Sequence, residues 1–173
     1  TGTATCPEFL PSQRSSLFSA LAVDGQTVLT PVHAAADGDP VVCWVRKHGR
    51  LLAIGAVETN YFVEHGRSVA FGLNGHAVIV DHSGRVLAHP NSAWEREMRD
   101  LSKLEIVREM LKGRTGITTF FSPAFKDDMI AGYTAVEGAG WGVMVPQPLS
   151  ELRDAAKKSK QSAMSLFSMS LLV

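Results

Sequence analysis

The chain has 173 residues, 45% of them hydrophobic, which suits the packed core of one domain or of one domain and part of a second. Its 17 basic residues balance its 17 acidic residues, so no net field steers it towards nucleic acid or an anionic membrane. A nucleic-acid-binding protein would also carry a basic stripe with interleaved aromatic residues, and the sequence has none.

The first forty residues indicate short elements separated by glycine and proline. Residues 1–12 predict a loosely ordered segment, and residues 12–21 predict a short helix with one apolar face. Residues 27–30 predict a short strand, and residues 34–40 predict a loop. This segment contains Cys6, one of only two cysteines in the chain.

Cys6 and Cys43 are too few for a disulfide scaffold and lack the spacing of a metal site. They can pair in an oxidising compartment or remain reduced side chains in the cytosol. A disulfide requires Cα atoms within about 4.4–6.8 Å, which a sequence does not show, so both states stay open.

Two apolar, β-prone segments predict a largely buried hairpin, with strands at residues 41–46 and 51–57. The connection at 47–50 contains a His-Gly pair suited to a turn. A helix is predicted next over residues 59–73, because its apolar side chains keep helical spacing and Thr59 or Asn60 can cap it.

Residues 76–90 predict a second hairpin, which supplies the first two strands of a sheet that later strands complete. Apolar residues alternate on either side of residues 81–84, where Gly84 is free to take a positive φ angle. The pair His89 and Pro90 then ends the second strand, because the residue before proline is held extended.

A well-defined helix is predicted over residues 104–112. Ser102 and Glu105 fit a capping box, and Gly113 is placed to end the helix in the left-handed conformation. Residues 91–100, between the hairpin and this helix, mix charges with the apolar side chains of Trp94 and Met98, and no element is assigned to them.

Three further strands are predicted at residues 116–122, 129–136 and 141–145, joined by short turns. Together with the hairpin at 76–90, they predict a five-stranded antiparallel sheet flanked by helices, which is an α+β fold.

The C-terminal segment predicts a charged helix at residues 150–161, followed by an apolar, uncharged run at 163–173. Eleven residues do not span a bilayer, which needs about 20. We interpret the run as the first half of a transmembrane helix, and the alternative is an amphipathic helix that docks on the core.

The sequence contains no phosphate-binding loop, dinucleotide-binding glycine pattern, zinc-protease motif or nucleophile elbow. The six histidines are scattered, and we expect His76, His82 and His89 around the second hairpin to be surface or capping residues rather than metal ligands. The acidic pair Asp127 and Asp128 lies in a predicted turn, where solvated charge is the ordinary state. These observations predict a non-enzymatic protein without cofactors.

Four segments resemble, in consistent order, the Cache family of PAS-like extracytoplasmic sensor domains from bacterial signal-transducing receptors. They are residues 75–90, which contain HAVIVDHSGRVLAHP, residues 113–116 (GRTG), residues 131–136 (AGYTAV) and residues 140–148 (GWGVMVPQP). The resemblance covers roughly residues 40–152.

The resemblance implies a PAS-like five-stranded antiparallel sheet flanked by helices, with a partial second module before it. Residues 1–73 would be a partial or reduced membrane-distal module, residues 74–149 the membrane-proximal PAS-like module, and residues 150–173 a helix leading towards a transmembrane segment. Exposed strand edges in a truncated distal module would favour a homodimer.

In two-module members of this family the distal module binds amino acids or other small polar molecules. Arg14 followed by Phe18 resembles the arginine and aromatic residues that hold a carboxylate, and Glu58 resembles the acidic residue that takes the amine. The alternative is that Arg14 is a surface charge and that Glu58 caps the following helix. Trp44 in the first hairpin and Tyr133 in the second module are further ligand candidates, although core packing is the ordinary role of such aromatics.

The sequence and the resemblance together predict a periplasmic sensor domain of an inner-membrane receptor with flanking transmembrane helices. It would bind an amino acid or carboxylate and signal through its C-terminal helix to a histidine kinase, diguanylate cyclase or chemoreceptor output. The alternative from another class is a cytoplasmic PAS-like interaction and dimerisation module without a small ligand. A native disulfide between Cys6 and Cys43 would favour the periplasmic interpretation.

Overall fold

The computed structural model describes residues 21, 24–35, 37–68 and 75–170, apart from the side chains of residues 67, 68 and 162–170. This part of the chain contains two antiparallel sheets and four helices. The strands are β1 Thr27–Leu29, β2 His33–Ala34, β3 Pro40–His48, β4 Leu51–Glu58, β5 Val78–Val80, β6 Val86–Ala88, β7 Gly116–Ser122, β8 Asp127–Val136 and β9 Trp141–Pro148. The helices are α1 Asn60–Ser68, α2 Ser92–Arg96, α3 Glu105–Leu111 and α4 Leu149–Ser170.

The first sheet is built on the predicted hairpin, whose strands are β3 and β4. β1 and β2 both pair with the other side of β3, so β3 is the central strand. The prediction of two buried strands is right for β3 and wrong for β4, where Leu51 and Ile54 are exposed. The difference follows from position, because β4 lies at an edge of the sheet in the described structure.

The second sheet has the predicted five antiparallel strands, in the order β6-β5-β9-β8-β7. The last three strands form a meander, and the hairpin of β5 and β6 joins it because β5 pairs with β9. Strand β9 continues to Pro148, three residues further than the predicted end at residue 145. The predicted α+β, PAS-like arrangement is therefore confirmed.

Two clusters of apolar side chains hold these layers together. The first lies between the second sheet and α2 and α3, and includes Trp94, Ile106 and Met110. The second joins the two sheets through Val42 of β3 and Trp141 of β9. Burial of such side chains stabilises the fold by about 1.5–3 kcal/mol each, so both clusters contribute to holding the sheets and helices together.

The helix α3 confirms one predicted end and corrects the other. At its C-terminus Gly113 has a φ angle of 79°, and its N–H donates to the carbonyl of Met110 at 2.9 Å. The N–H of Arg114 donates to the carbonyl of Glu109 at 3.1 Å, which completes a Schellman motif.

The predicted capping box at the start of α3 is wrong. Leu104 is the N-cap residue and makes no side-chain cap hydrogen bond. The N–H of Ser102 donates instead to Oδ1 of Asp100 at 2.8 Å. An aspartate two residues earlier thus offers this amide a local turn, which competes with the capping arrangement.

A short helix, α2, lies in the segment to which the sequence assigned no element. Its N-cap is Asn91, whose Oδ1 accepts the N–H of Ala93 at 3.0 Å. Trp94 on this helix is buried in the first apolar cluster. Side-chain capping and one aromatic anchor therefore order five residues that lack helical periodicity.

The turn between β5 and β6 is organised by the carboxylate of Asp81, which is fully buried. Its Oδ1 accepts the N–H groups of Ser83 and Arg85 at 2.8 and 2.9 Å and the hydroxyl of Ser83 at 2.7 Å. Its Oδ2 accepts the N–H of Val32 at 2.8 Å. Because Val32 lies between β1 and β2, this one carboxylate connects the hairpin to the first sheet.

Several predictions concern residues outside the described part of the chain. The helix predicted over residues 12–21 falls there except for Leu21, which is buried. The helix predicted over residues 59–73 is observed as α1, and residues 69–74 are not described. Cys43 is buried and disulfide-bonded, while Cys6 lies outside the described residues.

The C-terminal region forms one helix, α4, over both the charged and the apolar segments that the sequence distinguishes. No helix within the described ranges combines the length and apolar character that crossing a lipid bilayer requires. The interpretation of residues 163–173 as the first half of a transmembrane helix stays a prediction.

Replacing Gly55 of β4 by alanine should destabilise the first sheet. A Cβ at Gly55 would clash with Nε1 of Trp44, which covers this glycine from β3. Overpacking of this kind costs about 1–3 kcal/mol, and we expect the melting temperature to fall by several degrees. Gly132→Ala is the control, since a Cβ there meets nothing within 4 Å. Equal melting temperatures for the two variants would contradict this role of Trp44.

Candidate ligand-binding site

The residues predicted to hold a ligand in the first module are only partly within the described structure. Arg14 and Phe18 lie outside the described residues. Trp44 lies on β3 opposite Gly55, and Glu58 is the last residue of β4, opposite Val41. Trp44 is half-buried, and Glu58 is exposed.

Trp44 and Glu58 point to opposite faces of the first sheet. Trp44 and Val42 share one face, because side chains alternate along a strand, and Val42 packs towards the second sheet. Glu58 shares the other face with its cross-strand partner Val41. The two positions are also three residues apart in register, or roughly 10 Å along the strands. The structure therefore does not bring these two candidates together.

Tyr133, the candidate in the second module, lies on β8 opposite Gly116 of β7 and Met144 of β9. Its ring is partly buried against the first apolar cluster. A Cβ at Gly116 would lie 3.0 Å from the Tyr133 hydroxyl oxygen, so the phenol covers this glycine. Tyr133 thus packs on a central strand of the second sheet, whereas Glu58 ends a strand of the first sheet.

A cluster of aromatic rings at one end of the second sheet was not anticipated as a unit. The ring centroids of His76 and His89 are 5.8 Å apart, and His76 lies 4.9 Å from Phe125. His89 stacks on Trp94 at 5.0 Å, and the Arg99 guanidinium lies 4.3 Å from the Trp94 ring centroid. The sequence indicates that His76 and His89 are neighbours, because the residues before the first strand and after the second strand of an antiparallel hairpin lie side by side.

His89 is buried within this cluster, and its Nδ1 accepts the N–H of Asn91 at 2.9 Å. Burial, with a smaller effect of the His76 charge, lowers the pKa of His89 to about 4. The imidazole is therefore neutral at physiological pH. His82 is exposed in the turn at the other end of the hairpin, so the three histidines do not form one site.

The histidine cluster adjoins the start of the C-terminal helix. The N–H of His76 donates to the carbonyl of Pro146 on β9 at 3.4 Å. At the β7–β8 turn that carries Phe125, Oδ2 of Asp127 accepts the Ser150 hydroxyl at 3.1 Å. Since Ser150 lies in the first turn of α4, these contacts connect the end of the sheet to the base of that helix.

The described residues form a small cavity and a larger cleft around the second sheet. The smaller, about 20 Å³, is lined by His76, His89 and apolar groups of α1 and the hairpin, and has room for about one water molecule. The larger is a cleft of about 290 Å³ between the end of α3 and the β8–β9 turn. Of these two, the cleft approaches the volume of a small-ligand site.

The cleft combines an apolar wall with a few polar groups. Met110 and Val136 contribute apolar surface, and Glu137 contributes a carboxylate. The hydroxyl oxygens of Thr115 and Thr134 lie 2.7 Å apart at its edge. Across the described residues, no group of three or more histidine, cysteine, aspartate or glutamate side chains is arranged to hold a metal ion.

The sequence matches the Cache 3/Cache 2 fusion domain over residues 56–162. A search of curated proteins found no match. One similar solved structure is the extracellular domain of a protein assigned as a histidine kinase, mmHK1S-Z2, with 22% identity, 73% of this chain and 52% of that chain covered, and a TM-score of 0.59.

Two further similar structures come from chemoreceptors. The ligand-binding domain of the Pseudomonas aeruginosa PAO1 amino acid chemoreceptor PctB, in complex with L-Gln, is 20% identical, with 94% of this chain and 69% of that chain covered and a TM-score of 0.58. The periplasmic sensory domain of the Campylobacter jejuni chemoreceptor Tlp1 is 15% identical, with 82% and 56% covered and a TM-score of 0.61.

These structures share the fold, and the chain spans 52–69% of their length. The family match includes the last part of β4, all of α1 to α3, all five strands of the second sheet and α4 as far as residue 162. The chain therefore belongs to the Cache 3/Cache 2 fusion domain family.

Proposed function

We propose that the chain is the extracytoplasmic sensor domain of a membrane-bound signal-transduction receptor. It binds a small molecule, such as an amino acid or a carboxylate, and changes the position of α4 in response. The observation that carries this proposal is the family match over residues 56–162, which includes the complete second sheet and the base of the helix that leaves it.

The connection between sheet and helix supports signalling through α4. Strand β9 runs into α4 without a loop, since Pro148 ends the strand and Leu149 begins the helix. The hydrogen bond between Ser150 and Asp127 joins the helix to β8. A shift of the β7–β8 turn relative to β9 would therefore reorient α4, which is a displacement of the kind that receptors use. In this proposal the domain itself binds, and any catalysis belongs to an output domain such as a histidine kinase or diguanylate cyclase.

The similar structures support a small polar ligand. PctB was solved with L-Gln and with L-Arg, and Mlp24 was solved with asparagine. We propose that Glu58 receives the ammonium group of such a ligand and that Arg14 and Phe18 receive its carboxylate end. Because Trp44 lies on the other face of the sheet, its support for such a site would be through packing. Tyr133 and the cleft beside Glu137 offer the alternative place, within the second module.

The disulfide at Cys43 supports an extracytoplasmic location. Disulfides persist in oxidising compartments such as the periplasm and are rare in the cytosol. Its presence favours the periplasmic interpretation over the cytoplasmic interaction module that the sequence left open. We propose that flanking transmembrane segments place the domain outside the inner membrane and that it works as a homodimer.

Thermal unfolding in the presence of amino acids and carboxylic acids tests the ligand proposal. A ligand at 100 times its Kd should stabilise the domain by about 2.7 kcal/mol, which raises the melting temperature by several degrees. We expect Glu58→Gln to remove the shift caused by amino acids, and Glu64→Gln on α1 to leave it unchanged.

Loss of the shift in Glu137→Gln, with the shift retained in Glu58→Gln, would place the ligand in the cleft of the second module instead. A broad panel that leaves the melting temperature of the wild type unchanged would overturn the ligand-binding role.

A further inference from the structure

Helix α4 projects from the domain soon after it begins. Strand β9 ends at Pro148, and Leu149 starts the helix. The base of the helix is held by the hydrogen bond from the Ser150 hydroxyl to Asp127 and by contacts with β8 and β9. From residue 152 to residue 161 every side chain is exposed. Packing inside the domain therefore does not explain which side chains this part of the helix carries.

The charges on the projecting part of α4 are arranged in a stripe. An α-helix turns by about 100° per residue, so Arg153, Lys157 and Lys160 fall within an arc of about 60°. The two acidic residues of α4, Glu151 and Asp154, lie outside this arc. From residue 155 to residue 173 the sequence contains lysines and no acidic residue. We call Arg153, Lys157 and Lys160 the basic stripe.

Lys157 makes a weak ion pair within α4. Its Nζ lies 3.9 Å from Oδ1 of Asp154, and the two side chains are 76% and 70% exposed. Ion pairs of this kind at a protein surface contribute little to stability, because water and salt screen the two charges. Lys157 can therefore exchange Asp154 for another anion at small cost.

The basic stripe comes directly before the uncharged, apolar run at residues 163–173. With a rise of 1.5 Å per residue, Lys157 and Lys160 lie roughly 12 and 17 Å along the helix from Leu149. In the proposed receptor, α4 leads from the domain towards the membrane. The basic stripe is then the last charged part of the helix before the apolar run, at the level where a lipid surface presents its phosphate groups.

From this arrangement we infer that Arg153, Lys157 and Lys160 bind the phosphate groups of anionic phospholipids at the membrane surface. The charges of the stripe are complementary to such a surface, and the long side chains of arginine and lysine can extend along the helix to reach phosphate oxygens. The neutral net charge of the chain does not oppose this contact, because salt screens charges more distant than about 10 Å. The inference rests on the proposed membrane-bound receptor and names the lipid chemistry that its C-terminal helix meets.

Partition of the chain between water and lipid vesicles tests this inference. One set of vesicles contains phosphatidylcholine alone, and the other contains equal amounts of phosphatidylcholine and phosphatidylglycerol. We expect the wild type to bind the mixed vesicles more tightly. Lys157→Gln combined with Lys160→Gln should weaken binding to the mixed vesicles by about 25-fold, since each basic residue near an anionic surface contributes about fivefold. Binding to phosphatidylcholine should not change.

Arg50→Gln combined with Lys103→Gln is the matched control. It removes the same net charge from exposed positions outside α4, in the β3–β4 turn and before α3. This variant should keep the wild-type preference for the mixed vesicles. Equal binding of the wild type to the two sets of vesicles would overturn the inference, and so would an equal loss in the two double variants.

A salt titration of the wild type gives a second measurement that needs no substitution. The screening length falls from about 30 Å at 0.01 M salt to about 3 Å at 1 M, so the preference for the mixed vesicles should disappear in high salt. A preference that persisted at 1 M salt would show that the charges do not produce it, which would also overturn the inference. The ligand-induced thermal shift is measured without vesicles, so failure here leaves the ligand-binding proposal standing.

Discussion

Replacing Asp81 by alanine should lower the free energy of unfolding by about 3–5 kcal/mol, the largest effect that we expect from a single side chain here. The carboxylate is fully buried and accepts four hydrogen bonds, from Ser83 twice and from Arg85 and Val32. Without it, three backbone N–H groups lose their acceptor, and the N–H of Val32 loses it in a buried site. Each unsatisfied buried donor costs about 1–3 kcal/mol, and partial relaxation of the turn limits the sum.

The variant Asp81→Asn separates charge from shape at this position. An asparagine keeps one oxygen for the turn, but its amide nitrogen then faces the N–H of Val32, and two donors cannot pair. We expect the free energy of unfolding to fall nearly as much as in Asp81→Ala, because the hydrogen bond from Val32 that connects the hairpin to the first sheet is lost. Urea denaturation followed by circular dichroism measures both values.

Asp37→Ala is the control for this prediction. Asp37 also accepts a backbone N–H two residues on, from Asp39 at 3.2 Å, but it is exposed to water. Its removal should change the free energy of unfolding by no more than about 0.5 kcal/mol. A comparable loss for Asp37→Ala and Asp81→Ala would show that burial of the Asp81 carboxylate does not produce the effect.

The second sheet was predictable from sequence because its signals are local. The turn at residues 81–84 and the glycine that ends α3 each follow from residues close together in the chain, and strands of alternating character surround them. The capping box failed for a local reason as well, since Asp100 competes for the amide of Ser102. A pattern search that scores one motif at a time does not weigh such a competitor.

Features that depend on packing between distant segments were not predictable. The exposure of β4 follows from its place at a sheet edge, and apolar composition alone indicated a buried strand. The separation of Trp44 from Glu58 follows from the register of β3 and β4, which the hairpin prediction did not fix to the residue. The hydrogen bond between Asp81 and Val32 was not predictable either, because the two residues are 49 positions apart in the chain.

Acidification should destabilise the protein between about pH 6.5 and pH 4 through His89. Burial lowers the pKa of this imidazole from 6.5 to about 4 in the folded state, and in the unfolded chain it keeps its ordinary value. The unfolded state therefore binds the proton first as the pH falls, and stability decreases through this window. A difference of about 2.5 pKa units corresponds to at most about 3 kcal/mol.

Two carboxylates with lowered pKa values affect the stability of the protein at a pH below this window. Hydrogen bonds from Ser102 lower the pKa of Asp100, and those from Lys112 and Arg114 lower the pKa of Glu109. Their stabilising effect is complete above the ordinary pKa of a carboxyl group and is lost as the pH falls through the folded-state values. Loss of stability above about pH 4.5 thus reports on His89 rather than on these acids.

Denaturation of the wild type and of His89→Gln across pH 4 to 7 measures how much of the pH dependence of stability comes from His89. We expect the wild type to lose stability steadily below pH 6.5, and the variant to change little down to about pH 4.5, because glutamine does not titrate. His82→Gln on the same hairpin is the control and should follow the wild type, since His82 is exposed. If His89→Gln kept the wild-type slope, burial of His89 would not be the source of the acid sensitivity.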